Sequence, residues 1–133
     1  MNDELRRTLV RRALAARDRA YAPYSNYHVG ASLLASSGSV YDGVNVENAV
    51  YPVGICAERT ALVKAVSEGE RSFDAIAIAT HNAGSPCGMC RQMLSEFGTD
   101  MGVLLVNGEG AVVIDTTLGD LLPRAFGPKD LDK

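Results

Sequence analysis

All three cysteines of this 133-residue chain lie in two short segments, and this clustering restricts how the chain can fold. The first segment, GICAER, spans residues 54–59, and the second, PCGMCR, spans residues 86–91. Helical spacing predicts that Cys56 begins one helix and that Cys87 with Cys90 begins another. Helix N-termini carry partial positive charge and free N–H groups, which favour the thiolate form of cysteine. Two such N-termini facing each other would hold three thiolates.

The rest of the chain alternates between helical and extended patterns. Apolar residues recur at helical spacing from about residue 3 to 20, with Asp3 as the predicted N-cap. Extended segments on either side of the SSG turn predict a β-hairpin, and the apolar segment FDAIAIAT predicts a central strand. The helices that begin at the cysteine segments are expected to end at Gly69 and Gly98. Two further strands and a short closing helix complete the order αββαβαββα, which predicts an α/β fold, a three-layer α/β/α sandwich around a mixed five-stranded sheet.

Size and composition are those of one ordinary globular domain, residues 1–133, with 47% hydrophobic and 22% charged residues. No apolar run approaches the roughly 18 to 20 residues that span a bilayer, and the charged N-terminus lacks the apolar core of a secretion signal. We therefore expect a cytoplasmic protein without a membrane role. In a reducing compartment, an odd number of cysteines favours metal binding or catalysis over disulfides. A net charge of −3 gives no general attraction to nucleic acid.

Three thiolates with one further position are typical of a catalytic zinc site, because a structural site is normally closed by a fourth Cys or His. The two histidines, His28 and His81, have no metal-binding motif around them and are expected at the surface or at a strand edge. A redox pair in the second cysteine segment is the alternative interpretation. It leaves Cys56 and Glu58 without a role.

The position of Glu58 relative to the cysteines matches a specific catalytic pattern. In zinc deaminases of bases and nucleosides, His/Cys-x-Glu is followed by Pro-Cys-x-x-Cys, and the glutamate transfers protons without binding the metal. Residues 56–58 are CAE and residues 86–90 are PCGMC, so both halves are present. Taken alone, Glu58 would be a first-turn glutamate that interacts with the helix dipole. The paired motif favours the catalytic interpretation.

With both motifs present, the sequence resembles the small free-nucleoside cytidine deaminases of the three-cysteine zinc type. The likeness covers nearly the whole chain, from AYAPYSNYHVGASLL through GVNVENAVYPVGICAERTAL and SPCGMCRQMLSEF to DLLPRAFGPKDL. It implies one Zn²⁺ per chain and hydrolytic deamination of free cytidine and deoxycytidine to uridine, deoxyuridine and ammonia, a reaction of pyrimidine salvage. It also implies a homotetramer with active sites shared between subunits.

The resemblance assigns roles to individual residues. It makes Cys56, Cys87 and Cys90 the zinc ligands, Glu58 the proton-transferring acid, and Arg59 a hydrogen-bond donor to the thiolates. The substrate-binding residues that it implies are Tyr27, Asn45, Glu47, Ala49, Tyr51, Ala57 and Phe126. Of these, the residues at 49, 51 and 126 are expected to reach into a neighbouring subunit's pocket. Tyrosine at position 27 departs from the phenylalanine that is common in the family.

Cytosine deamination independently requires these residue types, because water must become nucleophilic and the leaving nitrogen must be protonated. Zinc lowers the pKa of bound water to roughly 7 and thereby supplies hydroxide for attack at C4. Glu58 is expected to take the proton, pass it to ring N3, and later protonate the departing ammonia. Three thiolates leave the zinc cluster with negative charge, which hydrogen bonds from Arg59 would partly withdraw.

Asn45 and Glu47 lie on the same side of a strand if the extended segment continues through GVNVEN. An amide and a carboxylate together suit the hydroxyl groups of a ribose. Without the resemblance, they would be interpreted as solvated side chains of a strand-end turn. Tyr24 and Ser25 are expected to organise the neighbouring loop, and Phe126 is either a pocket lid or part of the core.

Two other functions remain as alternatives to deamination of free nucleosides. The first is deamination of another cytosine-bearing compound, such as a nucleoside antibiotic or a nucleic acid, and the second is a non-enzymatic zinc module. The acidic net charge disfavours a nucleic-acid substrate, because phosphate contacts need Lys and Arg. The pair Asn45 and Glu47 disfavours the antibiotic, and Glu58 disfavours the non-enzymatic module.

Overall fold

The computed structural model describes residues 1–132, and the last residue of the predicted domain, Lys133, lies outside the described residues. Helices and strands follow the predicted order αββαβαββα. The elements are α1 (Asp3–Arg17), β1 (Gly30–Ala35), β2 (Val40–Val44), α2 (Ala57–Ser67), β3 (Phe73–Ala79), α3 (Gly88–Ser95), β4 (Gly102–Val106), β5 (Val112–Thr117) and α4 (Leu118–Leu121). Two short 3-10 helices, Tyr51–Val53 and Pro128–Leu131, were not predicted.

The five strands form one mixed sheet in the order β2-β1-β3-β4-β5. Strands β3 and β4 pair in parallel, and every other neighbouring pair is antiparallel. A parallel pair needs a crossover connection, and α3 provides it between β3 and β4. The three inner strands are almost entirely buried, whereas β5 at one edge exposes Val113 and Ile114.

Helices cover both faces of the sheet, as the three-layer prediction requires. On one face, Leu9 and Ala13 of α1 pack against Leu34, Ala77 and Leu104. On the other face, α2 and α3 supply a second buried cluster that includes Ala61, Leu62 and Leu94. The predicted α/β sandwich around a mixed five-stranded sheet is confirmed. No helix within residues 1–132 is long and apolar enough to cross a membrane.

The start of α1 differs from the prediction. Asn2, not Asp3, is the N-cap, because Asn2 has an extended backbone and its side chain accepts a hydrogen bond from Leu5 N at 2.8 Å. Asp3 lies inside the first turn, where its charge favours the helix dipole. The helix also ends at Arg17, earlier than predicted, because Tyr21 already forms a β-bridge with Val46.

The ends of the two cysteine-bearing helices follow the prediction more closely. Gly69, with φ of +101°, follows the C-cap of α2. Gly98, with φ of +125°, comes shortly after α3. Both backbone conformations lie in the left-handed region that glycine adopts without a steric penalty.

The start of β1 and the ends of β2 and β3 lie side by side at one end of the strands, where Gly30 pairs with both Val44 and Ala79. Helix α2 lies very close to β2, since a Cβ on Gly43 would be 2.4 Å from Ala61 N. This backbone contact fixes α2 against the sheet. The N-termini of α2 and α3 are thereby placed at this same end of the strands, where the candidate site forms.

Candidate functional site

The structure brings the three cysteine sulfurs together at the N-termini of α2 and α3. Cys56 is the N-cap of α2, Cys87 is the N-cap of α3, and Cys90 lies in the first turn of α3. The three Sγ atoms all lie within 4.8 Å of one another. Sγ of Cys87 is 3.9 Å from that of Cys56 and 3.4 Å from that of Cys90.

This sulfur triangle fits a zinc ion. Zn–S bonds of about 2.3 Å in tetrahedral geometry separate two sulfurs by about 3.8 Å, close to the observed spacings. All three thiols are free of disulfides. Within residues 1–132, the metal-ligand group contains these three cysteines and no histidine or carboxylate. Three protein ligands leave a tetrahedral zinc one position for a non-protein ligand, as in catalytic zinc sites.

Neither histidine joins the sulfur group. The ring of His81 packs edge-on against the ring of Tyr27, with the two centroids 5.4 Å apart. Nδ1 of His28 lies 3.2 Å from the carbonyl oxygen of Asn26. His28 and His81 therefore have local contacts in the loops beside the site, where His81 is exposed and His28 is half-buried.

Hydrogen bonding within the cluster concentrates negative charge on one sulfur. A hydrogen bond from Cys90 is the main cause that lowers the pKa of Cys56 to about 5, and Arg59 also contributes. The same hydrogen bond, together with burial, raises the pKa of Cys90. Zinc ligands must be thiolates, so metal binding would release the proton that Cys90 holds.

Two arginines follow the cysteine motifs, and they have different surroundings. Nη2 of Arg59 lies 3.8 Å from Sγ of Cys56, and its buried Nε has no hydrogen-bond partner among residues 1–132. Arg91 instead donates to the carbonyl oxygens of Pro86 at 2.8 Å and Leu121 at 2.7 Å. Arg59 therefore contacts the sulfur cluster, whereas Arg91 ties the start of α3 to the C-terminal segment.

Glu58 lies in the first turn of α2, beside the sulfur cluster, and is only 4% exposed. Burial is the main cause that raises the pKa of its carboxyl group to about 6, and the charge of Cys56 adds to the effect. A carboxyl group with a pKa close to neutral can both accept and donate a proton. The Glu58 carboxylate is not part of the metal-ligand group, so it can transfer protons while all three sulfurs bind the metal.

A cavity of about 300 Å³ lies beside the sulfur cluster, a volume at the lower limit for small-molecule sites. Its lining includes Cys56, Cys87 and Glu58 and also the polar pair Asn45 and Glu47. The remaining lining residues are Ser25, Tyr27, Val29, Ile78, Thr80, Gly84 and Ser85. This lining suits a ligand that carries both a reactive group and hydrogen-bonding groups.

Asn45 is buried and its amide is held by the backbone. Strand β2 ends at Val44, but the chain continues through a bridge between Val46 and Ile55. The Oδ1 atom of Asn45 accepts a hydrogen bond from Val29 N at 2.9 Å, and its Nδ2 donates to Tyr27 O at 2.8 Å. One N–H of the Asn45 amide remains available to a ligand.

Glu47 organises the loop after α1. Its Oε1 accepts from Tyr24 N at 2.9 Å and from Ser25 N at 3.1 Å, and its Oε2 accepts from the Ser25 hydroxyl. The Ser25 hydrogen bond is the main cause that lowers the pKa of Glu47. Oε2 retains one lone pair for a further donor, so the loop contact and a ligand contact are compatible.

Four of the expected substrate-binding residues do not line this cavity. Ala49 is exposed, and Tyr51 and Phe126 are 74% and 59% exposed. Tyr51 lines a neighbouring surface depression, where its ring centroid is 5.8 Å from that of Tyr24. Ala57 is fully buried. Within a single chain, the cavity therefore contains only Tyr27, Asn45 and Glu47 of the seven residues.

Sequence reasoning missed the cavity residues of the segment between β3 and α3, namely Thr80, Gly84 and Ser85. Their backbone follows a buried strand that pairs in parallel with β4. The signal was present, because residues 81–85 form a small and polar segment, HNAGS, directly before the Pro-Cys motif. Such loops, which lie at strand ends on a rigid scaffold, commonly carry binding residues.

Comparison with known proteins agrees with this geometry. The family model described as the cytidine and deoxycytidylate deaminase zinc-binding region matches residues 3–106, which include all three cysteines. A cytidine deaminase from Sporosarcina psychrophila is 48% identical over 126 residues, 92% of each chain. One from Halalkalibacterium halodurans is 46% identical over 130 residues, covering 96% of this chain and 98% of that one. A crystal structure of cytidine deaminase from Burkholderia pseudomallei has a TM-score of 0.84 at 47% identity, covering 95% of this chain and 100% of that one.

The fold and the sulfur cluster are those of a zinc-dependent hydrolase. The chain belongs to the cytidine and deoxycytidylate deaminase family. One Zn²⁺ per chain, held by the three-cysteine group, fits both the family's zinc-binding region and the sulfur geometry.

Replacing Cys87 with alanine should abolish stoichiometric zinc binding, because two sulfurs cannot complete the site. We expect wild-type protein to contain one zinc per chain by elemental analysis and Cys87→Ala to contain little. The melting temperature should also fall, since metal binding and folding are linked. Ser85→Ala, a neighbouring cavity residue without a thiol, is the matched control and should retain zinc. Full zinc content in Cys87→Ala would contradict this metal site.

Proposed function

We propose that this protein hydrolytically deaminates free cytidine and deoxycytidine to uridine and deoxyuridine, with release of ammonia. The observation that carries the proposal is one cavity that joins the sulfur cluster and Glu58 to the polar pair Asn45 and Glu47. The relatives at 46% and 48% identity are cytidine deaminases, which supports the same substrate here. We further propose that residues 1–133 act as one domain, in the cytoplasm, in pyrimidine salvage.

The charges of the cavity support a free nucleoside rather than a nucleotide. Two carboxylates, Glu47 and Glu58, line the cavity, and no Lys or Arg does so among the described residues. A substrate phosphate would therefore meet negative charge without a compensating cation. The hydroxyl groups of an uncharged ribose instead suit a carboxylate acceptor and an amide.

In the proposed reaction, the oxygen of water bonds to C4 of cytosine, and the bond from C4 to the amino nitrogen breaks. When zinc is bound by the three cysteines, it supplies a Lewis acid that makes water nucleophilic at neutral pH. Glu58 accepts a proton from the attacking water and delivers it to ring N3. Glu58 then transfers the second proton to the amino nitrogen, which leaves as ammonia. Arg59 offsets negative charge on Cys56 from outside the cavity.

An ultraviolet absorbance assay with four substrates tests the proposed substrate class. Cytidine and deoxycytidine should be turned over. Cytosine, which lacks the sugar, and CMP, whose phosphate would meet the negative charge of Glu47, should be turned over far more slowly. Glu58→Gln should retain zinc but lower kcat by about a hundred- to ten-thousandfold, because only proton transfer is removed. Preference for cytosine or CMP would exclude a free-nucleoside enzyme. Near-normal turnover by zinc-loaded Glu58→Gln would exclude Glu58 as the proton carrier.

The role of Glu47 in sugar binding can be separated from its role in the loop. If Oε2 accepts from the 3′-hydroxyl, Glu47→Ala should lower kcat/KM about ten- to a hundredfold for cytidine and deoxycytidine alike. The loss should be much smaller for 3′-deoxycytidine, which lacks that donor.

Ser25→Ala serves as the matched control for Glu47→Ala. It removes both loop hydrogen bonds of the Ser25 hydroxyl, the one that it donates to Glu47 and the one that it accepts from Tyr27 N at 3.0 Å, but it keeps the carboxylate, so any loss should be equal for all three substrates. Zinc content and assembly must be unchanged in both variants. Equal losses for cytidine and 3′-deoxycytidine in Glu47→Ala would show that Glu47 does not bind the sugar hydroxyl.

We propose that the active protein is a homotetramer with shared active sites. The exposed apolar side chains Val50, Tyr51, Val53 and Phe126 support this proposal, because exposed apolar clusters commonly mark protein interfaces. In a shared site, Ala49, Tyr51 and Phe126 would complete a neighbouring subunit's pocket.

Mixed oligomers test the sharing. Glu58→Gln and Phe126→Ala chains should each have low activity, and their co-assembled mixture should regain activity at sites that combine intact Glu58 with a neighbour's Phe126. The assembly itself should have the mass of four chains by light scattering. A fully active monomer would refute the proposal, as would a co-assembled mixture with no gain in activity.

A further inference from the structure

Two loops form walls of the substrate cavity, and they come from distant parts of the chain. The sugar-side loop, residues 18–29, joins α1 to β1 and contributes Ser25, Tyr27 and Val29 to the cavity. The metal-side loop, residues 80–87, joins β3 to α3 and contributes Thr80, Gly84, Ser85 and Cys87. The separation of these two loops determines the width of the cavity between them.

A single side-chain hydrogen bond connects the two loops. The hydroxyl of Tyr27 donates to Oδ1 of Asn82 at 2.8 Å. It is the only hydrogen bond between residues 18–29 and residues 80–87 in the described part of the chain. Tyr27 thus lines the cavity and bridges the loops through its hydroxyl, and its ring also packs edge-on against His81 of the metal-side loop.

Asn82 is held in place by the buried base of its own loop. Its Oδ1 also accepts a hydrogen bond from the hydroxyl of Thr80 at 3.3 Å. The Thr80 hydroxyl in turn accepts from Gly84 N at 2.8 Å, and Thr80 is only 2% exposed. Ala83, which lies between Asn82 and Gly84 in the chain, has a φ of +56°, a backbone conformation that is energetically unfavourable for a non-glycine residue. The hydrogen bonds on either side of Ala83 help to offset this cost.

The metal-side loop is shaped around the Tyr27 hydroxyl. A Cβ atom on Gly84 would lie 2.2 Å from the Tyr27 oxygen, well inside van der Waals contact. Any side chain at position 84 would therefore displace the hydroxyl from Asn82. The backbone of one loop and the hydroxyl of the other fit together at this point.

We propose that the Tyr27–Asn82 hydrogen bond is a clasp that fixes the width of the cavity and orients the Tyr27 ring for nucleoside binding. Tyr27 and Asn82 thus act as a positioning pair, and the inference rests on the proposed function. The clasp contacts no reacting atom, so its loss affects binding rather than the chemical step. A preorganised cavity lowers the cost of ordering on binding, and this benefit appears in KM with little change in kcat.

Four variants test the clasp with zinc-loaded enzyme and cytidine as substrate. Tyr27→Phe and Asn82→Ala should each raise KM about three- to tenfold and leave kcat within about twofold, as expected for one lost hydrogen bond. The double variant should be no worse than Asn82→Ala, because Asn82→Ala already removes the Tyr27 hydrogen bond together with the longer one from Thr80. Asn82→Asp keeps an acceptor oxygen for Tyr27 and should have a KM within about twofold of wild type.

Tyr41→Phe is the matched control for removal of a tyrosine hydroxyl. The Tyr41 hydroxyl donates to Glu70 at 2.8 Å, away from the cavity, so this variant should have the KM of wild type. Hydrogen exchange provides a readout that does not need turnover. Loss of the clasp should speed exchange of the Gly84 amide, which donates to Thr80, in Tyr27→Phe and Asn82→Ala but not in Tyr41→Phe.

The two readouts distinguish failure of the clasp from failure of the proposed function. A wild-type protein that does not deaminate cytidine would refute the proposed function, and faster Gly84 exchange would still support the clasp between the loops. If wild type deaminates cytidine but Tyr27→Phe has unchanged KM and unchanged Gly84 exchange, the clasp is refuted. Additive effects in the double variant would refute it equally.

Discussion

The approach of three sulfurs at two helix N-termini is the constraint on which the site depends. Cys56 and Cys87 are both N-caps with extended backbone, and neither side chain makes a capping hydrogen bond. The thiols are thereby left free to point at each other across the end of the sheet. Three thiolates within 4.8 Å would repel one another strongly. Two helix dipoles and Arg59 reduce this repulsion, and a divalent cation would remove it, so the site is built to bind metal.

The sheet supplies the rigidity that this arrangement needs. The chain passes from the end of β3 into α3 before it returns as β4, which pairs in parallel with β3. The close contact between Gly43 and α2 fixes the position of α2 on the sheet. The order of elements and the layers could be predicted, because apolar periodicity is local. The cap at Asn2 and the early end of α1 could not be predicted equally well. The cap depends on which of two adjacent polar residues has extended backbone, and the helix end depends on the long-range bridge of Tyr21 to Val46.

The candidate site divides in the same way between local and long-range features. The sulfur cluster and Glu58 could be located from the sequence, because their spacing within two helix starts fixes their geometry. Glu47 binding to the Ser25 loop and the Tyr27–Asn82 hydrogen bond could not, since they join segments 22 and 55 residues apart without a local pattern. The side chains of Tyr51 and Phe126 are exposed in the single chain. Neither side chain lines the cavity beside the sulfur cluster in its own chain.

X-ray absorption at the zinc edge tests the open three-thiolate site directly, because it counts the atoms bound to the metal. Zinc-loaded wild-type protein should show three sulfur atoms at about 2.3 Å and one oxygen or nitrogen atom at about 2.0 Å. Such a spectrum would agree with Cys56, Cys87 and Cys90 as the only protein sulfur ligands. Four sulfur atoms, or two sulfurs with two lighter atoms, would contradict an open three-thiolate site.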